Sequence, residues 1–159
     1  MIRILFVCLG NICRSPMAEF VMKDFIKKRN LEGFFSVASA ATSSEEIGNP
    51  VHPGTRKKLG EFGISVAGKQ AVKLRNEDYN QYDYIVGMES RNITNMIKIF
   101  GGDPEGKAKR LLDYGTRPRD IADPWYTGDF DTTYEDVLEG CEALLDHICA
   151  QELDSKGEK

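Results

Sequence analysis

Apolar and polar positions along the 159-residue chain switch between two periods, and the switching predicts strands separated by helices. Near the start, Ile4-Leu5-Phe6-Val7 is an unbroken apolar run, as expected of a strand covered on both faces in a parallel sheet. Met17, Phe20, Val21 and Phe25 then recur at helical spacing. They predict a helix over about Pro16 to Arg29, with Ser15 as its cap and Pro16 in its first turn. Phe35 to Ala40 reads as a second strand. The polar segment TSSEEIGNPVHPG leads into a helix over about Thr55 to Phe62, which Gly63 can end. Asn76 is placed to cap a short helix through Tyr82. Tyr84 to Met88 reads as a third strand, Ser90 to Phe100 as a helix, and Lys109 to Leu112 as a short fourth strand. The last helix is predicted over about Thr133 to Gln151. Its apolar stripe is Val137, Leu138, Leu144, Leu145 and Ile148, with Cys141 in the stripe and Cys149 beside it as packing residues.

Strands alternating with helices imply an α/β three-layer sandwich: a four-stranded parallel sheet with helices on both faces and a ligand site beyond the carboxyl ends of the strands. The length suits one domain, drawn over residues 1–152, with 153–159 as a flexible tail. Net charge is -4, and the basic runs at Lys27 to Arg29 and Arg56 to Lys58 read as solvated helix faces, which argues against nucleic-acid binding. The N-terminal apolar stretch is too short for a signal peptide, and no segment approaches a membrane span, so a cytoplasmic protein is expected. Four cysteines without paired CxxC motifs and only two histidines, His52 and His147, argue against a zinc site. A reducing compartment argues against structural disulfides.

The chemistry concentrates between the first strand and the first helix, in CLGNICRSP. Cys8 and Arg14 bracket a loop whose amides, together with the positive end of the helix, favour a phosphate dianion. The same field favours a thiolate, so Cys8 is expected to be ionised at neutral pH. Gly10 lets the backbone approach an anion closely, Asn11 tolerates left-handed dihedrals, and Arg14 offers a planar fork for two phosphoryl oxygens. Ser15 can donate a hydroxyl hydrogen bond to the Cys8 sulfur. The plain alternative is a buried thiol next to an exposed arginine.

Cleavage of a phosphate ester also needs a proton for the departing oxygen. Asp123, in the segment RPRDIADPWYTGDFD, is the preferred donor: Pro124 stiffens its backbone, and Trp125 and Tyr126 are placed to shield the carboxyl from water and favour its protonated form. Asp113, Asp120, Asp129 and Asp131 remain rivals on pattern alone, since loop aspartates commonly form turns.

Together, VCLGNICRSPMAE at 7–19, SAATSSEEIGNP at 39–50 and DPWY at 123–126 resemble the low-molecular-weight protein tyrosine phosphatase family, in that family's order and spacing. The resemblance implies that Cys8 attacks phosphorus to form a phosphocysteine, Arg14 binds the phosphoryl oxygens, and Asp123 protonates the leaving phenolate and then activates water. It implies supporting roles for Ser15 at the thiolate, Asn11 in the strained loop, and Ser39 behind Asn11. It also implies phosphate binding by Leu9, Gly10, Asn11, Ile12, Cys13 and Arg14. Cys13 matches a position that forms a reversible disulfide with the nucleophile, the alternative being a small packing residue. No metal or cofactor is implied.

Some positions depart from the commoner family pattern. Gly68 and Ala71 stand where histidine and arginine are frequent, so a network beneath the loop is expected to be missing or rebuilt. Glu45 replaces a frequent rim aromatic and Glu89 replaces an aspartate, which gives an acidic rim favouring basic or neutral phosphopeptides. Trp125 replaces the usual first tyrosine and leaves Tyr126 as the matching candidate for phosphorylation. Leu9, Ile12, Glu45, Trp125 and Tyr126 are the expected cleft walls.

A thioredoxin-coupled arsenate reductase resembles the same loop but needs two further cysteines near the third strand, where residues 84–100 contain none. A protein-arginine phosphatase of the same family has threonine where this loop has Ile12, an apolar wall suited to an aromatic ring. A non-catalytic phosphate-binding module would lack one of Cys8, Arg14 and Asp123, and a sugar-transport phosphocarrier would not require Arg14. The expected partners are phosphotyrosine-containing proteins or peptides, with inorganic phosphate as product and inhibitor. The expected state is a monomer or weak homodimer.

Overall fold

The structure, a computed structural model, describes residues 1–154. Four strands, β1 (Ile2–Cys8), β2 (Phe35–Ala41), β3 (Tyr84–Gly87) and β4 (Ala108–Arg110), form one parallel sheet in the order β2-β1-β3-β4. One face is covered by helices α1 (Arg14–Lys28), α2 (Pro53–Gly60) and α6 (Phe130–Ile148), and the other by α3 (Asp78–Gln81) and α4 (Ser90–Phe100). The apolar run in β1 is unbroken because both faces are buried. Ile4, Phe6 and Cys8 enter the core under α1 and α6, while Leu5 and Val7 enter the second core against Met96 and Tyr79.

The chain places β2 on one side of β1 and then crosses to β3 on the other. The strand order therefore reverses at the carboxyl ends of β1 and β3, where open α/β sheets bind their ligands. Val7 stands beside Gly87 in register, so Cys8 at the end of β1 and Glu89 just after β3 emerge next to each other.

Several predicted boundaries shift for identifiable reasons. Helix α1 starts at Arg14, and Ser15 is not its cap: the cap position is Cys13, without a side-chain bond, and the Ser15 hydroxyl turns to the Cys8 sulfur. Asn76 does not cap α3 either. Its amide donates to the carbonyls of Ile99 and Phe100 at the end of α4. Strand β4 stops at Arg110, and Leu111–Tyr114 forms a 3-10 turn; Leu111 and Leu112 are fully buried, and a two-residue apolar signal cannot separate the two geometries. Gly140 lets α6 pass over that turn, since a Cβ there would lie 2.4 Å from Leu111 Cγ.

The segment before α6 holds an unpredicted helical turn, α5 (Pro124–Thr127), capped by the Asp123 carboxylate. Helix α6 itself begins earlier than expected, at Phe130, because Asp129 accepts from the Thr132 amide. A π-helical turn, Cys149–Asp154, follows α6, and Leu153 and Cys149 pack against the core. Of the expected tail 153–159, residues 155–159 lie outside the described residues. Among the described residues no helix is long and apolar enough to cross a membrane.

Candidate active site

Strand β1 ends in a loop whose carbonyls are held from outside. Those of Cys8, Leu9 and Ile12 accept from the amides of Thr42, Ser43 and His52, and that of Cys13 accepts from Thr55 Oγ1 at 3.1 Å. In a planar trans peptide the N–H points opposite to the C=O. The amides of Leu9, Gly10, Cys13 and Arg14 are thereby turned away from those partners, toward a cleft of about 580 Å³ lined by Cys8, Leu9, Gly10, Ile12, Cys13 and Arg14. A ring of amides at a helix start has a net positive potential, the condition for anion binding.

The Cys8 sulfur sits at the base of this ring, 3 % exposed. The Asn11 amide donates to Sγ at 3.3 Å, and Ser15 Oγ lies 3.0 Å from it. Beneath, Asn11 adopts the left-handed region at φ 59°, costly for most residues with a side chain and least so for asparagine. Its side chain compensates: Nδ2 donates to Ser15 Oγ at 2.8 Å and to Ser39 Oγ at 2.9 Å, while Oδ1 accepts from the Val72 amide at 3.1 Å and so fixes the amide's orientation. Both hydroxyls accept from Asn11; that of Ser39 donates onward to Glu19, and that of Ser15 is placed to donate to Cys8 Sγ when the sulfur is a thiolate. A sulfur receiving two hydrogen bonds suits negative charge.

The network does not end at Ser39. Lys69 Nζ donates to the Ser39 carbonyl at 2.9 Å and pairs with Glu19 at 3.5 Å. Burial pulls the Lys69 ammonium below the ordinary lysine range, partly offset by Glu19. Gly68 and Ala71 therefore leave no gap; the support under the loop is rebuilt one residue along, by Lys69. Neither Glu19 nor Lys69 was a sequence candidate, because a helix-face carboxylate and a loop lysine carry no local sign of meeting 50 positions apart.

Arg14 is the largest fully buried side chain, 2 % exposed, and its charge is matched on three sides. Nη1 donates to Glu89 Oε2 at 2.9 Å and to the Ile121 carbonyl at 2.8 Å, and Nη2 meets Asp123 Oδ2 at 3.3 Å. Glu89 is thus an anchor for the guanidinium rather than a rim charge. It is held there by Asn92, whose Oδ1 accepts from the amides of Met88 and Glu89.

Asp123 is the aspartate that meets Arg14. Its rivals are engaged elsewhere: Asp113 and Asp120 with Arg110, Asp129 with Thr132, and Asp131 with Lys58. The Asp123 side chain is 18 % exposed, while Trp125 and Tyr126 beside it are 56 % and 78 % exposed. These two line the cleft with Leu9, Ile12 and Glu45, and the structure adds Ser43 and Glu46 to the lining. Cys13 shares the cleft as a free thiol, and burial, reinforced by Cys8 and Asp123, pushes it up to about 12. Among the described residues no group of three metal-ligating side chains is present.

The arrangement combines a hydrogen-bonded thiol, a loop whose amides suit an anion, a fixed guanidinium and a carboxyl beside it in the same cleft. The family model described as "Low molecular weight phosphotyrosine protein phosphatase" matches residues 3–159. The low molecular weight protein-tyrosine-phosphatase YfkJ of Bacillus subtilis is 43% identical over 150 residues, 93% of this chain and 96% of its own length. PtpA of Staphylococcus aureus, of the same description, is 39% identical over 149 residues, 93% of this chain and 94% of its own. The crystal structure of YfkJ superposes with a TM-score of 0.93 at 42% identity, covering 96% of this chain and 97% of that one.

Proposed function

The chain belongs to the low molecular weight phosphotyrosine protein phosphatase family, and from that premise we propose that it hydrolyses phosphotyrosine in proteins or peptides through a cysteinyl-phosphate intermediate. The observation that carries the reading is Cys8 Sγ within hydrogen-bond reach of Ser15 and the Asn11 amide, in a cleft that Arg14 and Asp123 also line.

In this reading the phosphoryl group enters the amide ring and takes the Nη2 side of Arg14, the end held least tightly, at 3.3 Å from Asp123. Glu89 and the Ile121 carbonyl keep Nη1 in place, so the fork is oriented before substrate arrives. The Cys8 thiolate attacks phosphorus and the P–O bond to the phenol breaks. Asp123, protonated in the complex, gives its proton to the departing oxygen. Water then attacks the phosphocysteine, Asp123 takes the proton, and the S–P bond breaks to return thiolate and inorganic phosphate. The amides and Arg14 meet the charge that grows on the equatorial oxygens.

Leu9, Ile12, Trp125 and Tyr126 supply apolar and aromatic walls for a phenyl ring, while Asn11, Ser15 and Ser39 hold the loop in shape. Cys13 would protect the nucleophile under oxidation by forming a disulfide with it. The need for a reduced sulfur fits a cytoplasmic setting.

The test is a panel of phosphotyrosine, phosphoserine and phosphoarginine peptides with arsenate reduction run alongside, together with acid-quench mass spectrometry of the peptide bearing Cys8. Turnover of phosphotyrosine with a transient phosphate on Cys8 is expected. Turnover without any adduct, or preference for another phosphoamino acid, would overturn the reading.

A further inference from the structure

His52 joins the two halves of the cleft. Its backbone N–H donates to the Ile12 carbonyl of the phosphate loop at 2.9 Å, and its Nδ1 accepts from the Gly54 amide at 3.0 Å, which caps α2. With the side chain tied this way, the imidazole stacks on Phe130 at the start of α6, with ring centroids 5.3 Å apart and an interplanar angle of 19°. The edge of Trp125 meets the same imidazole, at 5.6 Å and 77°. Gly54 makes room for the stack: a Cβ there would lie 2.3 Å from Phe130 Cζ.

Trp125 matters to the chemistry through its backbone. Its amide donates to Asp123 Oδ1 at 3.1 Å, which leaves Oδ2 to face Arg14. The direction of the carboxyl is therefore set by where the α5 turn lies. Residues Trp125 to Asp129 are all exposed, and the turn's own backbone bonds, from Tyr126 and Thr127 to the Asp123 carbonyl and from Gly128 to the Pro124 carbonyl, are internal to it. Such bonds fix the shape of the turn; its base is tied to α6, where Thr133 Oγ1 donates to the Ala122 carbonyl at 3.2 Å, and Pro124 is buried. The ring contact between Trp125 and His52 supplies a reference to the phosphate loop.

We propose that His52 is a positioning residue for the general acid, anchored to the phosphate loop by its backbone and holding the Asp123 turn in place by its ring. This rests on the phosphatase reading above, in which Asp123 protonates the leaving group. A mispositioned acid penalises leaving groups that need a proton and spares those that depart without one.

Three forms separate the ring from the cap: the parent, His52→Asn, whose side chain can still accept from Gly54 but has no ring, and His52→Phe, which keeps a ring and loses the cap. With phenyl phosphate, His52→Asn should lower kcat/KM by about tenfold, against less than about twofold with 2,4-dinitrophenyl phosphate. His52→Phe should recover phenyl phosphate to within about threefold of the parent. In an Asp123→Ala background, His52→Asn should add no further loss on phenyl phosphate.

Equal loss on both esters, parent-like activity of His52→Asn on phenyl phosphate, or a full additional loss in the Asp123→Ala background would each overturn the proposal. Trp125 is the single tryptophan of the chain, so its fluorescence anisotropy reads the contact independently of turnover. The anisotropy should fall in folded His52→Asn, and an unchanged value also overturns the proposal. Gly54→Ala, which drives a methyl group into Phe130, disturbs the stack from the other side and should give the same phenyl-selective loss. A parent enzyme inactive on both esters would instead defeat the phosphatase reading itself.

Discussion

The floor and the mouth of the cleft are built by opposite rules. Under the phosphate loop, Asn11, Ser15, Glu19 and Ser39 are each 4 % exposed or less, and each is hydrogen-bonded to at least one other member of the set. At the mouth, Glu45, Trp125 and Tyr126 stand in solvent. Buried polar groups are costly unless fully partnered, so the floor has one workable arrangement. Exposed side chains face no such condition, and the mouth can vary without disturbing the sulfur. On the proposed function, chemistry would be kept where the protein is least adaptable and partner choice where it is most so.

Four substitutions put the contrast between floor and mouth to the test. Replacing Cys8 by Ser should have the largest effect, a fall in kcat/KM on aryl phosphates of about 10⁴-fold or more, measured by steady-state kinetics; activity within tenfold of the parent would remove the sulfur from the mechanism. Asp123→Ala should cost about 10²–10³ on phenyl phosphate and much less on a dinitrophenyl ester, as the ratio of the two kcat/KM values reads. Lys69→Met tests the floor. It leaves the Glu19 carboxylate, 4 % exposed, with Lys23 and the Ser39 hydroxyl but without its buried cation, and should destabilise the fold by about 2 kcal/mol in urea titrations, whereas Lys69→Arg should lose well under half of that. Smallest is Glu45→Lys at the mouth. It should raise KM for a phosphopeptide with flanking lysines by about two- to fivefold, an effect that shrinks as salt is added.

Much of the fold was legible in the chain because the signals for it are local. The apolar run of β1 and the stripe and boundaries of α4 follow from side chains that must face a core on both sides or on one. The loop carrying Cys8 and Arg14 stood out for the same reason, since its residues are contiguous. Where expectation and structure part, a distant partner decided the outcome. Ser15 has the chemistry of a cap, yet a sulfur seven residues earlier claims its hydroxyl. Glu89 reads as a surface charge until β1 and β3 pair and bring it to Arg14, 75 positions away. Lys69 and Glu19 have no meaning until α1 and the loop after α2 meet beside Ser39 of β2. Asp123 lay between these cases: the Asp-Pro pair marked a turn, but its separation from Arg14 by 109 positions could not be read from pattern.

The guanidinium of Arg14 owes its orientation to Glu89, Ile121 and Asp123, all contributed by the later part of the chain. A partly folded species in which that later part has come loose would still carry the nucleophile and its loop, yet have nothing to aim the arginine. Catalysis should therefore vanish in step with global cooperative melting, with no surviving active fragment, and recovered turnover on refolding would time the docking of the later half of the polypeptide rather than formation of the N-terminal β-α unit.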